Sequence, residues 1–186
     1  MKKLASVLAI GLALTSAAAM ASDGTITING NLTSSTCTIN GTAGGNITVT
    51  LPTVSTKSLA AAGATAGRTA FNIALTGCTA TSAKTFFEAG PNVNAAGRLK
   101  NLDLAGAKNV DVQLVSGEGN VIDPNQSAIN QASQTIDLST GSATATYYAE
   151  YYATGAATAG AVNSSTTYSR LCCTNQGLRP SGRMTA

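Results

Sequence analysis

The sequence contains no histidine and no tryptophan. Charge is scarce as well: Asp, Glu, Lys and Arg make up 10 % of its 186 residues and aromatic residues 4 %, whereas an average soluble chain is roughly 25 % charged. Without histidine there is no Ser-His-Asp triad, no Cys-His pair and no His-ligated metal. The eight carboxylates are scattered singly, so none is paired for acid–base work. The formal charge of +3 falls to +1 once Lys2 and Lys3 are set aside, which leaves no basic face for nucleic acid. No catalytic residue, cofactor-binding residue or metal ligand is assigned, and no cofactor is expected.

What the chain has in quantity is small: 33 Ala, 27 Thr and 19 Gly. With 44 % hydrophobic residues it is not a disordered tail. Its apolar side chains are short, so the expected core is thin and β-rich.

Residues 1–21 read as a signal peptide. Lys2 and Lys3 form a positive start, Leu4 to Leu14 an apolar run too short to span a bilayer comfortably, and Ala19-Met20-Ala21 a small-x-small cleavage pattern. A membrane anchor is the competing reading, but no stop-transfer stretch follows. Cleavage between Ala21 and Ser22 leaves 165 residues, exported and open to disulfide formation. Cys37 and Cys78 flank 40 residues and each adjoins a strand-like run. A bridge between them closes a loop worth about 4 kcal/mol on the chain-entropy account. A zinc site has the wrong spacing and no histidine. Cys172 and Cys173 are adjacent near the C-terminus.

The body alternates with period two over Thr25–Leu32, Ile47–Leu51, Phe71–Leu75 and Val110–Leu114, and more briefly over Ile136–Leu138. Ala145–Ala153, rich in tyrosine, is expected to be the longest strand. Ser116–Asn120 and Asp123-Pro124-Asn125 have turn compositions. Leu59–Ala66 is the one weak helical candidate. Tyr147, Tyr148, Tyr151 and Tyr152 fit two faces of one strand better than a sugar-stacking platform, and the Asn-x-Ser/Thr triplets at Asn31, Asn46 and Asn163 are taken as chance. Many short strands with polar turns indicate a single all-β sandwich.

That sandwich is short of a strand. The readable pattern stops at Tyr168, while Thr25–Leu32 begins three residues after the cleavage site with its outer end untethered. A free uncharged strand at one end and an unfilled edge at the other suggest strand exchange between subunits.

Four stretches in order, Asp23–Gly30, Phe71–Cys78, Asn109–Leu114 and Tyr151–Gly160, resemble the subunits of chaperone–usher (type 1-like) fimbriae, above all the major rod pilin. The likeness spans Asp23 to Ser169. It implies an incomplete immunoglobulin-like sandwich lacking its last strand, completed by a donor strand from a neighbouring subunit. The implied partners are a periplasmic chaperone, an outer-membrane usher and identical or related fimbrial subunits at the cell surface. Residues 22–35 would form the N-terminal extension, with Ile26, Ile28, Gly30 and Leu32 on its inserting face, and residues 36–169 the pilin domain. The competing reading makes Ile26–Leu32 this domain's own first strand. The function implied is a structural subunit supporting adhesion. An adaptor subunit is the runner-up; a sugar-binding tip adhesin needs a second domain for which 165 residues leave no room, and a secreted hydrolase lacks its residues.

The tail departs from the resemblance. Family members end soon after the strand containing Tyr168, on an alternating apolar pattern with a Tyr beside the last residue. Here residues 170–186 carry three of the nine mature basic residues. The codons of Leu171 to Asn175, read two bases later, permit an apolar-Leu-Tyr-Gln ending, so a frame slip between Ser169 and Leu171 is the expectation. A genuine tail puts chaperone capture in doubt and invites wrong disulfides through Cys172 and Cys173.

Overall fold

Alternating apolar residues become antiparallel strands wherever a partner lies alongside. The protein is seen here in a computed structural model that describes residues 37–39, 45–174 and 177–180. The described strands are β1 (Thr38–Ile39), β2 (Thr65–Thr76), β3 (Ser82–Phe87), β4 (Leu99–Lys100), β5 (Val110–Ser116), β6 (Val121–Ile122), β7 (Thr135–Asp137), β8 (Ala143–Ala153), β9 (Tyr168–Thr174) and β10 (Gly177–Pro180). They form two antiparallel sheets. One runs β1-β2-β8-β5-β4 with β6 also on β5, and the other runs β10-β9-β3-β7. This is a β-sandwich, the expected class.

The core lies between the sheets. On β8, Ala145, Tyr147 and Ala149 point inward and meet Ile73 and Leu75 of β2, Val112 and Leu114 of β5, and Ala83 and Phe87 of β3. Tyr147 is fully buried. Its ring stacks on Phe71 at 5.8 Å and takes Phe87 edge-on at 5.3 Å, geometries that add to simple burial. Burial raises the Tyr147 phenol above its ordinary pKa, against an opposing hydrogen bond from Ser133.

The other face of β8 is polar yet covered. Glu150, 2 % exposed, accepts from Arg68 Nε at 2.8 Å, Arg68 Nη2 at 3.2 Å and Gln113 Nε2 at 3.0 Å. Asp111 accepts from Asn94 Nδ2 at 2.7 Å, and the Arg98 guanidinium lies 3.8 Å from the centre of the Tyr152 ring. Every residue of β5 is consequently buried. Its alternating sequence marks two faces correctly, but the long arginines cover the polar one.

Three local expectations are corrected. Leu59–Ala66 is not a helix. A 3₁₀ turn, Thr56–Leu59, capped by the Ser55 side chain on Lys57 N at 3.2 Å, precedes a turn through Gly63 and then β2. β8, with 11 residues, is one shorter than β2 with 12. β2 gains its length by a bulge between Ala66 and Thr69, where Gly67 has φ +69° and an added Cβ would meet the Tyr151 ring at 3.1 Å. Finally, the β pattern does not end at Tyr168: pairing with β3, Phe87↔Tyr168 through Ser82↔Cys173, carries β9 to Thr174.

Candidate functional site

The notable feature is a stretch with the pattern of a strand and no ladder among the described residues. Residues 45–55 take no strand assignment. Nevertheless Ile47, Val49 and Leu51 are half-buried against the main core while Asn46, Thr48 and Thr50 are exposed.

Side chains of β9 reach the first residue of this segment and the bridged cysteine ahead of it. The Tyr168 hydroxyl donates to the Gly45 carbonyl, and Arg170 Nη1 donates to the Cys37 carbonyl at 3.1 Å. Gly45 is required at its position: φ is +59°, and a Cβ would lie 2.9 Å from the Tyr168 hydroxyl and 3.0 Å from Ile39 Cγ2. Partial burial raises the Tyr168 pKa, so the hydroxyl remains a donor.

The bridge Cys37–Cys78 forms, with Cα atoms 4.3 Å apart. It locks the start of β1 to the end of β2, next to the register pair Thr38↔Thr76, and so fixes the chain that leads into the unladdered segment. Beyond that segment lies a cavity of about 310 Å³ among Val54, Leu59, Val110, Tyr151, Ala157 and Val162. It caps a second apolar cluster at one end of the sandwich.

The edges of the second sheet differ. On β3, the side away from β9 is closed by β7 along Ser82–Lys84. Beyond that, the fully buried Gln131 amide accepts from Phe87 N at 2.8 Å and donates to Phe87 O at 2.6 Å. On β9, the side away from β3 is paired at Leu171–Thr174 by β10. Tyr168 and Ser169 have no strand on that side among the described residues. Tyr168, at the start of β9, thus meets the start of an extended apolar segment that has no strand partner among the described residues. Chemically such a slot can accept a strand. Among the described residues no group of His, Cys, Asp and Glu is arranged to hold a metal, and no helix is long and apolar enough to cross a membrane.

The four tyrosines occupy two faces of β8. Tyr147 is in the core and Tyr151 packs on the second cluster, while Tyr148 and Tyr152 carry Arg68 and Arg98. Asp123 makes the expected turn, its Oδ1 accepting from Asn125 N at 2.9 Å. Ile26, Ile28, Gly30, Leu32, Ala21 and Ser22 lie outside the described residues. Sequence reasoning missed β3, whose inward positions Ala83, Thr85 and Phe87 include a polar residue that masks the alternation. It also missed β9 beyond Tyr168, and β10, where Arg170 and Pro180 break any apolar pattern.

Comparison with known proteins agrees with the architecture. The family described as type-1 fimbrial protein, A, matches residues 51–172. The major fimbrial subunit SMF-1 of Stenotrophomonas maltophilia is 48 % identical over 84 % of this chain and 96 % of its own. An F17 fimbrial protein of Escherichia coli is 40 % identical over 90 % of this chain and 97 % of its own. Among solved structures, the P pilus rod subunit PapA superposes with a TM-score of 0.55 over 74 % of this chain and 99 % of its own, at 17 % identity, a likeness of fold. With 122 of its residues inside the matched family region and close relatives spanning nearly their full length, the chain belongs to the type-1 fimbrial proteins, structural pilus subunits built on an immunoglobulin-like sandwich.

Proposed function

We propose that this chain is a building block of a surface fimbria that polymerises by donor-strand exchange. After cleavage between Ala21 and Ser22, residues 22–35 of one copy pair in the slot of the next. Ile26, Ile28 and Leu32 enter beside Ile47, Val49 and Leu51, and Gly30 fits where the slot is shallow. Adding a strand to an open edge is a recurring recognition mode, in which main-chain bonds supply affinity and alternate side chains specificity. Each buried aliphatic side chain adds about 1.5–3 kcal/mol. A periplasmic chaperone holds the slot before exchange, and an outer-membrane usher directs it. The role is mechanical, with no catalysis.

The observation that carries this reading is the segment 45–51, patterned as a strand yet with no strand partner among the described residues, which starts beside Tyr168 at the beginning of β9. The test is Ile28→Asp in cells carrying the gene with its native neighbours, scored by electron microscopy of surface fibres. Fibres should vanish while the disulfide-bonded subunit persists in the periplasm. Fibres in undiminished number would contradict the reading.

A further inference from the structure

A sandwich that takes a strand at one edge has to refuse strands at the others. Among the described residues, the edge of the second sheet away from β9 is β7, which pairs with β3 along Ser82–Lys84. β7 has three residues and ends in Asp137, whose Oδ1 accepts from Ser139 N at 2.9 Å. Shortness and charge are devices by which edge strands resist further pairing. Phe87, at the end of β3, lies beyond the reach of β7.

The main-chain groups of successive strand residues point to opposite sides. Glu88 N donates to Thr167 O at 2.9 Å, on the β9 side, so the N–H and C=O of Phe87 point to the outer edge. There the fully buried Gln131 takes both: Oε1 accepts from Phe87 N at 2.8 Å and Nε2 donates to Phe87 O at 2.6 Å. These are the two bonds that an added strand would make. The next residue, Ala132, holds φ +61°, a strained conformation for a residue with a Cβ. It turns the chain between Gln131 and β7 out of the extended form. A second glutamine acts on the facing sheet. Where the β5–β8 ladder stops at Ser116↔Tyr147, Gln134 Oε1 accepts from Gly117 N at 2.5 Å and Nε2 donates to Thr146 O at 2.9 Å. Side-chain amides thus finish one ladder on each sheet.

We infer that Gln131 is a specificity-determining residue for strand exchange: it seals the outer edge of β3, so that the donor strand of a second copy has a single edge to join. The inference rests on the donor-strand reading above. A residue that only packs has to fill its space. Gln131 also supplies a donor and an acceptor to the two main-chain groups of one strand residue, and that pairing is the seal. Beside β9, by contrast, Tyr168 meets a segment with no strand partner among the described residues.

The experiment uses the mature full chain with an excess of a peptide that has the sequence of residues 22–35. Native mass spectrometry counts peptides per chain, amide exchange is recorded at Phe87, and circular dichroism checks folding, for the unaltered chain, Gln131→Ala and Gln131→Met. The seal predicts a protected Phe87 amide and a single bound peptide in the unaltered chain. In the altered chains the Phe87 amide should exchange at least about tenfold faster, the equivalent of one net hydrogen bond, and a second peptide should bind. Gln131→Met keeps the side-chain length and is read by the same criteria where Gln131→Ala does not fold. A Phe87 amide that exchanges freely in the unaltered chain would overturn the seal without any variant. Faster exchange with a single peptide still bound would also overturn it, leaving Gln131 a packing residue and donor-strand exchange standing. If no chain binds peptide, the donor-strand reading fails. The exchange data then decide the seal alone: Phe87 protection lost in the altered chains keeps it, and unchanged protection overturns it.

Discussion

Replacing Cys37 and Cys78 by alanine should cost this fold more than a typical core mutation. The bridge spans a sequence separation of 41, and closing a loop of that length removes about 4 kcal/mol of unfolded-chain entropy. A domain's whole stability is about 5–15 kcal/mol. In a domain of this size each kcal/mol moves the thermal midpoint by about 2–4 °C, so the midpoint should fall by about 8–16 °C. The pair sits where β1 joins β2, upstream of the segment 45–51, so loss of the bridge should loosen that segment first. The assay is thermal unfolding by circular dichroism, in a background with Cys172 and Cys173 changed to serine so that only this bridge differs. A fall of less than about 3 °C would refute the reasoning, because the bridge would then add little beyond the ladder Thr38↔Thr76 and Ile39↔Leu75.

Other outcomes follow from the packing. Tyr147→Ala removes a fully buried ring that touches Phe71 and Phe87 and should cost about 3–5 kcal/mol in denaturant unfolding; Tyr147→Phe, which loses a hydroxyl 3.4 Å from Ser133, should cost about 1 kcal/mol or less. Arg68→Ala leaves Glu150 buried with Gln113 as its remaining partner. The expected loss is about 2 kcal/mol, below the range for a fully buried pair because the arginine side chain is 50 % exposed. Burial raises the pKa of Tyr147, Tyr151 and Tyr168 above the ordinary 10.0. Their contribution is therefore fully present below pH 10.0 and is lost as pH rises through the elevated folded values; a midpoint that is flat from pH 9 to 11, bounds chosen about one unit either side of the tyrosine value, would contradict this.

Legibility in the sequence followed the presence of a partner. Phe71–Leu75 and Val110–Leu114 read as strands and are strands, because their apolar residues face a core that alternation alone can indicate. Ile136–Leu138 and Ala145–Ala153 were legible for the same reason. The Cys37–Cys78 bridge could be read from export and spacing. β3 was illegible because Thr85 takes an inward position and Lys84 follows an alanine, so its place is set by pairing with β7 and β9. The run 47–51 gave the correct faces but not its pairing, since alternation reports burial and not who lies alongside. The helical expectation at Leu59–Ala66 failed because the 3₁₀ turn already stops at Leu59, and Gly63, with a φ of +90°, turns the chain into β2. β10 had no local signal, because a four-residue strand with arginine and proline exists through the edge it covers.

The central claim is that copies of this chain join through an exchanged strand. Its most direct test is electrophoresis of material sheared from the surface of cells that carry the gene with its native neighbours, run unboiled beside boiled. A strand held by an extended ladder and buried side chains leaves slowly, which is kinetic stability. The account predicts an unboiled ladder of regular multiples that collapses to one band on boiling. A single monomer band before boiling, from cells that hold the folded subunit, would contradict it.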